Sequence, residues 1–162
     1  MKRLRIEIKW AIIFIVVSLL WMLGEKLAGL HSTLIDKHSV FTNLFAIPAI
    51  LIYFLAIRDK KLNYYHGKMR FMQGLWSGIY LSLIVTLFVP ITQYITIHFI
   101  TPEYFSNAVS YTVDSGQMTQ IEAEKYFSLS HYIFISMISA PILGVVTSAF
   151  VCIFIRTKPG EY

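Results

Sequence analysis

Glu25 and Lys26 stand side by side inside a long apolar run, and His31, His38, His98 and His131 fall near the ends of such runs. Ionisable groups inside a membrane segment are expensive and are often functional. Adjacent residues on a helix point about 100° apart, so Glu25 and Lys26 cannot pair tightly on one face. The preferred expectation is that Lys26 snorkels to the headgroups with Glu25 solvated beside it. Turned towards the other helices instead, Glu25 becomes the best proton- or cation-binding candidate. Imidazoles and carboxylates, with Asp36 close by, are a donor set that Zn²⁺ or another transition ion accepts. No pair has the spacing of a metal motif such as HExxH or CxxC, so no metal ligand is assigned. The histidines are expected to cap helices or bond locally, with protonation switching as a further use. No nucleotide loop, nucleophile elbow or dinucleotide fingerprint occurs, so no catalytic residue and no cofactor site is assigned. The one cysteine, Cys152, permits no internal disulfide and reads as buried packing.

The elements that must position these groups are four apolar segments, Trp10–Leu30, Phe41–Ile57, Leu75–Phe99 and Tyr132–Ile155. Each is long enough as a helix to cross a hydrocarbon core of about 30 Å. With 56% hydrophobic residues in a chain of 162, no mass is left for a soluble catalytic domain. One domain, 1–162, is expected. Every lysine and arginine except Lys26, Lys37 and Lys125 falls on one side of the segments. Glu25, Asp36, Glu103, Asp114, Glu122 and Glu124 fall on the other. Positive loops stay in the cytoplasm, so both termini are expected inside. The same rule accounts for the net charge of +5 without a nucleic-acid partner. The first apolar run is too long for a signal-peptide core and lacks an A-x-A site, so an uncleaved first helix is expected. The fold class is therefore an all-α membrane protein: four transmembrane helices as two antiparallel hairpins, N-in/C-in, with a short helical hairpin in the outer loop between helices three and four.

The loops carry their own signals. The outer loop His31–Ser39 is short, which makes helices one and two an antiparallel hairpin. The inner loop Arg58–Gln73 mixes basic and aromatic residues suited to anionic headgroups and predicts a turn at His66–Gly67. Thr101-Pro102-Glu103 reads as an N-cap, a first-turn proline and an acid at the positive helix end. That helix should run to Ser115 and stop at Gly116. Thr119-x-x-Glu122 is a capping box opening a second short helix to Ser128. Together they form an outer cap over about 101–130, packed on the helices.

Small residues recur every four positions at Gly74, Gly78, Ser82 and Thr86, and at Ser136, Ala140, Gly144, Ser148 and Cys152. Such stripes let helix backbones approach closely in lipid. Packing of helices three and four within the chain is one explanation, and a homo-oligomer interface is the other. Pro48, Pro90 and Pro141 share a layer roughly 10–14 Å below the outer boundary, freeing the carbonyls of Leu44, Thr86 and Met137. Those carbonyls need neighbours, hydroxyls or water. An outward-facing polar cavity there would draw on Glu25, Lys26, His31, His38, Asn43, Gln93, His98 and His131. His38–Pro48 and His131–Pro141 share one spacing, a weak echo of two parallel hairpins.

The runs EKLAGLHSTLIDKHSVFTNLFAIPAILIYFLAIRDKK and TPEYFSNAVSYTVDSGQMTQIEAEKYFSL resemble a family of small four-helix membrane proteins from Bacteroidota. Glu25-Lys26, His31, His38, Thr42-Asn43, Pro48, Arg58-Asp59-Lys60, Gln73-Gly74 and Thr101-Pro102 carry the likeness. The family is defined only as a domain of unknown function. The resemblance implies an inner membrane of a Gram-negative cell and supplies no catalytic residues. The first expectation is an accessory or scaffold protein without catalysis, in the lipid bilayer as a homo-oligomer or with other membrane proteins of the envelope. A small transporter or channel is the alternative. A lipid-headgroup enzyme using His31, His38 and Asp36 ranks last.

Overall fold

All regular structure in the computed structural model, which describes residues 4–158, is helical. Lys2 and Arg3, part of the basic cluster before the first apolar run, lie outside the described residues. Among the described residues, four helical spans are long and apolar enough to cross a membrane: Arg5–Leu27, Ile35–Asn63, Phe71–Ile100 and Leu129–Ile155. The chain is thus a multi-pass membrane protein by length and composition. Most spans outrun their apolar cores, because flanking polar residues also favour helix once the backbone has been nucleated.

Helix α1 (Arg5–Leu27) stops short of Leu30 for a local reason. Gly29 has φ +79°, and a Cβ there would sit 2.8 Å from the Thr33 hydroxyl, so only glycine fits. The amides of Leu30 and Gly29 donate to the carbonyls of Glu25 and Lys26 at 3.0 and 2.9 Å, closing a Schellman motif. The second span is broken into α2 (Ile35–Thr42), a 3₁₀ turn at Asn43–Phe45 and α3 (Ala46–Asn63). Pro48 lacks an amide donor and crowds the Leu44 carbonyl, which suits a tightened turn at that point. Helix α3 runs five residues further than Arg58, so the following loop is shorter than expected, with His66 and Gly67 at φ 51° and 86°. Helix α4 (Phe71–Ile95) contains Pro90 and ends in a π-helical turn, Thr96–Ile100.

The chain folds as two compact units. The first draws on Ala46–Leu87 and on chain before Val16 and after Met137. Its core holds Ala11, Tyr53, Ile57, Met69, Leu81 and Cys152 among others. The small-residue stripes of α4 and α7 (Leu129–Ile155) meet here. A Cβ on Gly74 would lie 2.7 Å from the Cys152 sulfur, and one on Gly78 would collide with Ser148. A Cβ on Gly144 would collide with Ser82 and lie 2.7 Å from the Tyr53 hydroxyl, which itself bonds Ser82 at 2.8 Å. These stripe residues are therefore engaged within the chain. Glu7, which no sequence signal singles out, is buried and paired with Lys60 at 2.9 Å, and Ser77 donates to it at 2.7 Å. Lys60 also lies 4.0 Å from the Tyr64 ring centroid. Met69 and Thr157 exchange two hydrogen bonds of 2.9 Å, tying the α3–α4 loop to the segment after α7.

The second unit comprises Val16–Phe45 and Phe88–Met137. Here α5 (Tyr104–Asp114) begins later than the Thr101 cap reading requires. Thr101 is buried, its amide closes the π turn on Thr96 at 2.8 Å, and no side chain caps α5. The first-turn signal thus serves the preceding helix end. Gly116, at φ +69°, ends α5, with the Gln117 amide on the Thr112 carbonyl at 2.9 Å. The capping box forms: Thr119 and Glu122 bond reciprocally at the start of α6 (Gln120–Tyr126), which ends before Ser128. Bonds from the Thr119 amide and hydroxyl hold the Glu122 carboxyl below its ordinary range. Helix α5 packs on α6 and on α2.

Candidate functional site

Glu25 is turned inwards, with 4% of its surface exposed, while Lys26 is exposed. This corrects the expectation of a solvated Glu25. The Schellman turn behind it reverses the chain at the helix end, and α2 follows from Ile35. His31, two residues past Gly29, is 3% exposed, and His38, within α2, reaches the same carboxylate. Glu25 Oε2 lies 3.4 Å from His31 Nε2 and 3.5 Å from His38 Nε2. One ligand atom from each of the three residues can be chosen so that all lie within 4.8 Å of one another. His31 keeps a local bond to Glu25, as expected, and both His31 and His38 also pack on the Tyr104 ring of α5. Motif spacing misses them because a glycine turn, not a helix repeat, brings them together.

The surrounding groups hold the cluster in place. Trp21 Nε1 donates to Glu25 Oε1 at 2.7 Å. The Tyr104 hydroxyl lies 3.4 Å from His38 Nδ1 and 3.1 Å from the Tyr132 hydroxyl. Burial pushes the Tyr104 phenol above its ordinary range, so it keeps its proton. The His31, His38 and Tyr104 rings pack mutually with centroids 5.0–5.1 Å apart. Asn107 of α5 donates to the His31 carbonyl at 2.9 Å, fastening the cap helix to the loop. Two cavities adjoin the cluster. One of about 360 Å³ is lined by His38, Gln93, Thr96, Tyr104, Tyr132 and Ser136. The other, of about 190 Å³, is lined by Lys26, His31, Thr101, Glu103 and Asn107.

The remaining sequence candidates scatter. Gln93 joins the larger cavity and donates to Ser136 at 3.1 Å. Asn43 is exposed and bonds the Ser39 carbonyl at 2.7 Å, one turn back. His98 is exposed and stacks on Tyr94 at 4.1 Å. His131 packs beside Tyr126 with ring centroids 4.9 Å apart. The echo between His38 and His131 therefore carries no shared chemistry. Trp21, Tyr104, Tyr132 and Asn107 are parts of the site that sequence reasoning did not assign. For Trp21 a signal existed: it stands four residues before Glu25, on the same helix face.

The chain belongs to the family described as Protein of unknown function (DUF4199), whose pattern matches residues 9–157. No curated protein and no solved structure matches it.

Proposed function

We propose that this member of the family is a bacterial inner-membrane accessory protein without catalysis of its own. Its four spans form two antiparallel hairpins with both termini cytoplasmic, and the loop between the third and fourth spans, with its short helices, lies outside. The asymmetry of basic and acidic residues supports that orientation. The observation that carries the functional reading is the buried Glu25 cluster under a cap helix that is hydrogen-bonded to the loop bearing His31. A carboxylate withdrawn from water inside a membrane span costs several kcal/mol unless partners compensate it. A protein that only filled space would gain nothing from it. The second unit thus reads as a binding module for a small polar ligand, from which the protein acts on other membrane proteins, as an oligomer or within an envelope complex.

Transport is the second reading, favoured by the cavity that carries Gln93, Thr96 and Ser136. Four spans are few for a solute path, so a dimer would be needed. Native mass spectrometry of the tagged chain, gently solubilised from its host's membranes, tests the reading. Stoichiometric foreign membrane chains are the expected result. A clean homo-oligomer whose proteoliposomes move a solute would replace it with transport.

A further inference from the structure

We infer that Glu25, His31 and His38 form a three-ligand site for a divalent transition ion of the Zn²⁺ class. The separations carry the argument first. Distances of 3.4 and 3.5 Å from Glu25 Oε2 to the two imidazole nitrogens are long for N–H···O hydrogen bonds. They match two edges of a tetrahedron whose metal–ligand bonds are about 2.0–2.1 Å, where each edge is about 3.3 Å, and all three ligand atoms lie within 4.8 Å of one another. A lone pair carries it second. His38 Nε2, the atom that faces Glu25 Oε2 at 3.5 Å, is buried without a hydrogen-bond partner among the described residues. A buried imidazole nitrogen with nothing donating to it is a loss that a metal ion reverses.

The outer contacts have the form that metal sites use. Trp21 holds Oε1 of Glu25 and leaves Oε2 to face the imidazoles. The Tyr104 hydroxyl stands at Nδ1 of His38, where it orients the ring with Nε2 towards Oε2. Charge is compatible as well: the buried carboxylate faces two imidazoles while Lys26 is exposed, so a divalent ion there would meet an anionic ligand and no neighbouring lysine side chain in the cluster. Two imidazoles and one carboxylate leave a fourth position for water or for a ligand entering the cavity that His38 and Tyr104 line. Such an open site exchanges its ion and accepts an added ligand, unlike a closed four-ligand structural site.

The test uses the full chain with a tag free of histidine, purified in detergent, stripped by a chelator and titrated with Zn²⁺ and, separately, Co²⁺. One ion per chain is expected, with the intense visible absorption of four-coordinate Co²⁺. His31→Ala and His38→Ala should each weaken binding beyond the roughly 10–100-fold typical of losing an outer partner, and Tyr104→Phe within that range. His98→Ala and His131→Ala should leave it unchanged. X-ray absorption at the zinc edge of the wild-type protein reads two imidazoles and a carboxylate directly, so a variant that fails to fold does not spoil the test. Failure of the folded wild-type chain to hold an ion, binding that survives the His31→Ala/His38→Ala double variant, or a sulfur-containing shell each overturns the assignment.

Discussion

Trp21 donates its indole N–H to Glu25 one turn further along α1, at 2.7 Å, and so decides which carboxylate oxygen is left to face the histidines. A phenylalanine in its place keeps the ring bulk but leaves Oε1 without that donor. Trp21→Phe should therefore destabilise the protein by about 1–3 kcal/mol, the range for stranding a buried acceptor. Thermal unfolding in detergent reads this. An unchanged midpoint would mean that Oε1 finds water instead.

Gly78 and Ser148 are packed so closely that α4 and α7 leave no room for a methyl group. Gly78→Ala should cost about 1–3 kcal/mol through overpacking. Pairing it with Ser148→Gly should recover part of the loss. Gly24, where an added Cβ meets nothing within 4 Å, is the control. Gly24→Ala should be neutral or stabilising by up to about 1 kcal/mol from helix propensity. Equal losses at the two glycines would rule out the close-packing account.

Glu7 and Lys60 are both almost fully buried, so removing Lys60 leaves the Glu7 carboxylate without its cation. Lys60→Met is expected to destabilise by about 3–5 kcal/mol. The double variant Glu7→Leu/Lys60→Met should be much less affected, since two apolar groups need no counter-charge. A double-mutant cycle in denaturant measures the coupling. Additive losses would show that the pair interacts with its surroundings more than with itself.

The capping box of α6 gives a pH dependence of known sign. Thr119 lowers the Glu122 pKa in the folded state, so the box contributes stability above the unfolded carboxylate pKa. That contribution is lost as pH falls through the lower folded value. Glu122 is fully exposed, so the effect is local. Intrinsic-rate-corrected hydrogen exchange should show the amides of 119–123 losing protection in acid. Glu122→Gln should remove the pH dependence, and an unchanged acid profile in that variant would count against the box as its source.

Much of this architecture is readable from short stretches of chain, because the forces that set it are local. The apolar runs become spanning helices wherever backbone groups have no water to turn to. Gly116, His66–Gly67 and Thr119–Glu122 act through bonds a few residues long and fall where their sequence signals place them. Thr101 shows the limit even there, since its amide was already committed to the turn before it.

The site itself lies beyond that reach. Sequence alone presents Glu25 as a charged residue near a helix end, where solvation and snorkelling are the cheaper local choices. Its inward facing depends on how α1 is rotated, which neighbouring helices decide through packing. His31 and His38 converge on it because the Gly29 turn and α2 return the chain, and because Asn107 and Tyr104 arrive from α5, far along the sequence. Spacing along a chain encodes which residues share a helix face. It does not encode which faces meet, because that is settled by side chains competing for the same buried space.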